Sequence, residues 1–244
     1  MDRFFYVVKT DKQILALRTH HFPAHNYLQL QVAFRHIFQS DRLLSLPYQR
    51  THIALLSALT TLIPADLYDA ERTRFYMAHN AALTDEDIVS EDKLSHIGTH
   101  QVYAFNRTIL ETVQMQFPNA ELKHVLSGLI DAYRQINTGK TVYANLIGTY
   151  LQVVVFDGKK LLFANTFTQH LHKDVMYFIG LIFNQLDLDW KRNRLVVSGE
   201  ITSESLTYFT LQKYIKHVEL FNNSKYTFEH HQAPANWRFV ELLS

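Results

Sequence analysis

Three short apolar runs separated by two glycine-containing turns constrain this chain more than any other feature. They are Val142–Ile147 (VYANLI), Leu151–Phe156 (LQVVVF) and the segment KLLFANTF ending at Phe167. Gly148-Thr149 joins the first two. Asp157-Gly158 joins the last two, and Asp-Gly is the dipeptide a tight type I′ hairpin turn selects, because its central residues need positive φ. The runs predict a three-stranded antiparallel meander. Val153, Val154 and Val155 are consecutive, so the middle strand has no polar face and must be covered on both sides.

The residues beyond the meander supply that cover. Val175, Ile179, Ile182 and Leu186 recur at helical spacing, with Met176 and Phe183 widening the stripe. Leu195–Ser198 (LVVS) reads as a short buried strand. Thr202 or Ser203 can cap a helix whose inner face carries Tyr208, Leu211 and Ile215, and His217–Phe221 (HVELF) closes the set. Three strands, helix, strand, helix, strand is the order of a ribonuclease-H-like α/β unit.

The first half reads as a second such unit. Phe4–Val8 and Ile14–Thr19 form a hairpin, and Asn26 caps a helix with Leu30, Phe34, Ile37 and Phe38 on one face. His52–Ser57 is a strand, and Pro64 introduces a helical stretch from Asp69 to Met77. An insertion near residues 79–105 ends in the strand Gln101–Phe105. Asn106 caps a helix bearing Ile109, Val113 and Phe117, which Pro118 ends. Glu121–Val125 is a strand, and Ser127 caps a last helix with Leu129, Ile130, Tyr133 and Ile136. The predicted organisation is a first unit over residues 1–137 and a second over 138–244 with a C-terminal extension, joined at Asn137-Thr138-Gly139-Lys140. The first unit lacks its N-terminal strand, because nothing precedes Phe4 to supply it.

Composition narrows the chemistry. The chain has 7 glycines, whereas average usage of about 7% gives roughly 17, and phosphate loops need glycine for close approach of backbone N–H groups. It has no cysteine, which excludes disulfides and thiolate metal sites. The formal net charge of +1 provides no field for nucleic acid or an anionic membrane. No signal peptide is visible and no apolar run approaches the ~18 residues of a membrane span, so a soluble cytoplasmic protein is expected. Of the 14 histidines, His20-His21 and His230-His231 are adjacent and point apart on a strand. His170 and His172 have only Asp174 as a nearby carboxylate, so no metal is expected. Lys191-Arg192-Asn193-Arg194 beside Trp190 is the compact basic run that would serve a nucleic acid strand.

Several segments carry a resemblance: LPYQRTHIALLSALTTLIPADLYD (Leu46–Asp69), VYAFNRTILETVQMQFPNAELKHV (Val102–Val125), FDGKKLLFANTF, VVSGEI and KYIKHVELF. Together they cover nearly the whole chain, which resembles an uncharacterised bacterial family with an actin-like ATPase fold. Its fold is similar to that of the cytoplasmic actin-like assembly proteins of pili and type II secretion. The resemblance implies an α/β chain of two tandem units facing each other across a cleft. In active members of that superfamily a first hairpin grips phosphate and Mg²⁺, and that segment is absent here. A second hairpin runs D-x-G-G-G-T, and the aligned residues are Asn145-Leu146-Ile147-Gly148-Thr149-Tyr150. Asn145 replaces the carboxylate, while Leu146 and Ile147 replace two of the glycines. The adenosine motif presents paired glycines, where this chain has Ser198-Gly199-Glu200.

Phosphoryl transfer rests on positioning and charge neutralisation, so loss of all three contact sets argues against catalysis. The remnant site is Asn145, Gly148, Thr149, Gly199 and Glu200. No cofactor is expected. The reading is a non-catalytic scaffold or assembly partner acting on an unidentified protein partner. The alternatives are a nucleotide switch or ATPase using non-standard contacts around Gly148, Thr149 and Gly199, and an RNA-associated protein using Trp190–Arg194.

Overall fold

The computed structural model describes residues 3–11, 13–22, 26–221 and 227–228. It opens with the hairpin of β1 (Arg3–Lys9) and β2 (Gln13–His21). α1 (Tyr27–Ser40) begins at the anticipated cap, where Asn26 Oδ1 accepts the Gln29 N–H at 2.9 Å, and it buries Leu30, Phe34, Ile37 and Phe38. Asp41, just past α1, ties helix to hairpin: it accepts from Tyr6 Oη at 2.6 Å, His20 Nε2 at 3.0 Å and Arg18 Nη1 at 3.1 Å.

β3 (His52–Leu55) and β4 (Thr60–Pro64) come next. Pro64 leads into the expected helical stretch, but through 3₁₀ turns, the first of them, Ala65–Leu67, directly after it. It ends a strand opposite Thr99, at a terminal position where its missing N–H costs little, and two 3₁₀ turns intervene before α2 (Thr73–Asn80). The insertion holds more structure than one strand. β5 (Asp87–Leu94) and β6 (Thr99–Asn106) form an antiparallel sheet with β4, in the order β4-β6-β5. α3 (Arg107–Gln116) is capped by Asn106, and β7 (Glu121–His124) pairs parallel with β3.

α4 (Val125–Ile136) starts two residues before Ser127. Its cap is His124, whose Nδ1 accepts the Leu126 N–H at 3.1 Å; the Ser127 hydroxyl donates instead to Asp92 Oδ2 at 2.6 Å. A histidine lies outside the usual Ser/Thr/Asp/Asn pattern for caps, so the residue pattern alone points to Ser127.

The second half has its expected order: β8 (Lys140–Ile147), β9 (Tyr150–Asp157), β10 (Lys160–Thr168), α5 (His172–Gln185), β11 (Arg194–Gly199), α6 (Leu206–Tyr214) and β12 (His217–Leu220). The sheet order is β10-β9-β8-β11-β12, antiparallel from β10 to β8 and parallel from β8 to β12. Both hairpin loops have positive φ at the first central residue, Gly148 (55°) and Gly158 (56°), and not at the second. That is the type II′ pattern rather than I′, so Asp157 is the last strand residue and not a turn residue. The cap of α6 is Ser205, not Thr202 or Ser203. Finally β13 (Thr227–Phe228) pairs parallel with β2 at Gln13 and Ile14.

The five-stranded sheet is buried on both faces, as the valine run requires. Val153 and Val155 pack under α5 and α6 with Ile179, Phe183 and Leu211. Val154 and Phe156 face the other way, onto Leu129, Ile130 and Tyr133 of α4, with Leu56 and Leu62 of the first half beside them. Each such side chain contributes on the order of 2 kcal/mol of burial. The second face therefore joins the halves, and β8 and β9 end at the junction.

Candidate functional site

The candidate site is built where β8 turns into β9 and where β11 ends alongside it. Parallel pairing sets Gly199 opposite Leu146 and Ser198 opposite Asn145, which brings the two remnant motifs together although 50 or so residues separate them.

The approach is close. A Cβ on Gly199 would lie 2.1 Å from the Leu146 carbonyl oxygen, and Gly199 has φ of +82°. The adjoining Glu200 N–H donates to that same oxygen at 2.6 Å. Glycine is required here by main-chain contact between strands, which leaves no bare backbone for a purine.

The turn itself is occupied. The Gly148 N–H, the group that would meet a phosphate oxygen, donates to Glu200 Oε2 at 2.8 Å. The Gly148 carbonyl accepts from Gln169 Nε2 at 2.8 Å, and the Thr149 carbonyl accepts the Gln169 N–H at 2.7 Å. A carboxylate of the chain's own thus sits where an external anion would. Sequence reasoning places Glu200 beside the site but misses Gln169; nothing in the order of residues reveals that the end of β10 returns over the turn.

Asn145 is fully buried and engaged on both sides: Oδ1 accepts from Ser198 Oγ at 2.7 Å and Nδ2 donates to Gln152 Oε1 at 3.0 Å. It serves as an internal hydrogen-bonding group and offers nothing to a cation. Thr149 is exposed at the turn tip.

Beside the turn lies a cavity of about 380 Å³, lined by Tyr150 from β9 and, across from it, by Asn26, Leu56, Ser57, Asp87 and Asn106 among others. Among the described residues its lining includes one carboxylate, Asp87, and no lysine, arginine or histidine, so these residues offer a triphosphate no counter-charge. The Ser57 wall is held from behind by His124. That ring is completely buried, its Nε2 lies 3.0 Å from the Ser57 carbonyl oxygen, and its Nδ1 caps α4, so it is the neutral Nε2–H tautomer. Burial drives its pKa down to about 4, a direction the Ser57 bond only partly opposes. Asp92 sits next to it and accepts the His124 N–H at 2.7 Å; burial raises its pKa against the pull of Ser127, His124 and Tyr103.

His230 and His231 lie outside the described residues; other sequence candidates take part in local structure. Asp174 Oδ2 accepts the N–H groups of His170 and Leu171 at the start of α5, which holds its carboxyl below the usual range. Among the described residues no three His, Cys, Asp or Glu side chains gather as a metal site. The Trp190 ring packs on Phe183 with centroids 4.7 Å apart, and Arg194 makes a two-pronged bond to Glu219 at 3.1 and 2.7 Å, so neither faces a nucleic acid strand. No described helix is long and apolar enough to cross a membrane.

The family model described as "Protein of unknown function (DUF3822)" matches residues 2–218. The chain belongs to this family. No curated protein matches the sequence. Among solved structures, this DUF3822 chain is similar to a protein with actin-like ATPase fold and unknown function from Bacteroides thetaiotaomicron VPI-5482. The TM-score is 0.75 at 19% identity, over 90% of this chain and 91% of that one. It is also similar to a chain of the PilM-PilN type IV pilus biogenesis complex, with TM-score 0.61 at 12% identity, over 99% of this chain and 93% of that one. At these identities the likeness is one of fold: the DUF3822 chain is an α/β protein whose structural neighbours include an actin-like ATPase fold.

Proposed function

We propose that this DUF3822 chain is a non-catalytic scaffold or assembly partner, cytoplasmic, whose nucleotide seat is closed by its own side chains and which works through a protein partner. One observation carries the reading: the Gly148 N–H is already bonded to the carboxylate of Glu200. An incoming phosphate has to displace a like charge at hydrogen-bond distance, and among the described residues the adjacent cavity has no basic side chain to compensate. Burial of Asn145 in internal hydrogen bonds supports the same conclusion, because position 145 presents no carboxylate to order Mg²⁺ and its water. The fold neighbour described in a pilus biogenesis complex supports an assembly role.

The finer architecture belongs to this proposal. Residues 1–137 and 138–244 form two ribonuclease-H-like units, the second complete in its order β10-β9-β8-β11-β12. Among the described residues the first consists of the hairpin β1–β2, with β13 added beside β2, and the parallel pair β3–β7; it is one strand short of the full unit and carries the β4-β6-β5 sheet as its insertion.

Isothermal titration with Mg-ATP tests the reading. No heat of binding and no turnover is the expected result; micromolar binding with hydrolysis overturns it and restores the nucleotide-switch alternative. Affinity capture with subsequent cross-linking then identifies the partner.

A further inference from the structure

Four polar side chains lie in one row across the five-stranded sheet. Thr166 on β10 is opposite Gln152 on β9, Gln152 is opposite Asn145 on β8, and Asn145 is opposite Ser198 on β11. All four are buried, on the face turned toward α4 and the first half. Tyr133 of α4 ends the row, with its hydroxyl 2.7 Å from Ser198 Oγ.

The hydrogen bonds of this row have a direction. Ser198 donates to Asn145 Oδ1, so its oxygen is left to accept from the Tyr133 hydroxyl. Asn145 Nδ2 donates to Gln152 Oε1. The sequence of donors runs Tyr133, Ser198, Asn145, Gln152, and Gln152 Nε2 is the last. That nitrogen is buried and has no acceptor among the described residues, and the directly opposed Thr166 Oγ1 has no partner among them either. Leaving a buried polar atom unbonded forfeits its solvation with nothing in return, and here two such atoms belong to side chains directly opposed across one strand pair.

We infer that the row is completed by a bound water molecule between Gln152 Nε2 and Thr166 Oγ1. Directly opposed residues have Cβ atoms roughly 4.5–5.5 Å apart, which places their polar tips within reach of one shared small molecule. The group must accept from an amide N–H and donate to, or accept from, a hydroxyl. A cation is excluded because the Gln152 N–H bonds point at it, and an anion finds no charged donor in the row. If both carboxamides are turned over, every bond in the row reverses and the end group must donate instead of accept. Water meets either demand. The water ties β9 to β10, on the strand that leaves the Gly148 turn.

Two measurements on the intact chain test this. A crystal structure showing ordered solvent should place a peak within hydrogen-bonding distance of both atoms; direct contact of Gln152 Nε2 with Thr166 Oγ1, or with another protein acceptor, overturns the assignment. In solution, the Gln152 side-chain amide should show a water cross-relaxation peak with the sign of a long-lived bound molecule. Its absence from the wild-type chain overturns the inference. In Thr166→Val, which keeps the shape and removes the hydroxyl, that peak should be lost; persistence at full intensity rules out Thr166 as a ligand and overturns the site as drawn.

Discussion

Replacement of His124 by asparagine isolates the cost of keeping an imidazole neutral in the core. The wild-type ring titrates at about 4 when folded, against 6.5 when unfolded, which corresponds to about 3 kcal/mol. The sign comes from proton counts. Above pH 6.5 neither state binds a proton and the contribution is complete. Between 6.5 and 4 the unfolded chain binds one and the folded chain does not, so stability falls as pH falls; below 4 both bind and the loss stops. In His124→Asn the carboxamide oxygen can still accept the Leu126 N–H, but the Ser57 contact and the titration are gone. At pH 7.5 the variant should be less stable by about 2 kcal/mol, for the lost bond and the space left behind. The gap should shrink and reverse by pH 4, because only the wild type bears the protonation penalty. Asp92, whose raised carboxyl favours folding as pH falls, and Asp41, held low by its donors despite burial, titrate in both chains and cancel in the difference. Urea denaturation at four or five pH values reads this directly. A constant difference from pH 7.5 to 4 refutes the reasoning, as does a wild-type imidazole resonance titrating near 6.5.

Gly199→Ala drives a methyl into the Leu146 carbonyl at a positive φ, and should cost over ~3 kcal/mol or abolish folding, as read by chemical denaturation and soluble yield. Glu200→Ala frees the Gly148 N–H at an exposed turn; stability should drop by about 1 kcal/mol or less, and Mg-ATP titration should stay flat because neither Asn145 nor the described cavity lining supplies a positive charge. Asn145→Asp buries a carboxylate without a cation, so its melting temperature should be depressed at pH 8 and recover as pH falls and the acid protonates, with no ATP hydrolysis gained.

The second half is readable from sequence because its signals are local. Apolar runs, glycine turns and a helical stripe each report on neighbours in sequence, and they place β8 to β12 in order. The caps Asn26 and Asn106 are legible for the same reason. β5 is not, since DIVSEDKL mixes charge into a strand whose buried Asp92 is satisfied by His124 and Ser127, more than 30 residues further along the chain. His124 and Ser127 exchange roles because capping by an imidazole has no sequence signature. At the candidate site, sequence motifs single out Asn145, Gly148, Thr149, Gly199 and Glu200 one by one, yet their spatial relation cannot be read from them. That Glu200 reaches Gly148, that Gln169 closes the turn, and that Gly199 serves a strand contact all depend on the parallel register of β11 against β8.

The pairing of β13 with β2 bears on the order of events during synthesis. Gln13 and Ile14 leave the ribosome early, and the residues that bond to their open side, Thr227 and Phe228, are made roughly 200 residues later. Until then the outer edge of the amino-terminal hairpin exposes unpaired N–H and C=O groups to any passing strand. A nascent-chain binder that shields this edge should therefore act early in translation and let go only near its end.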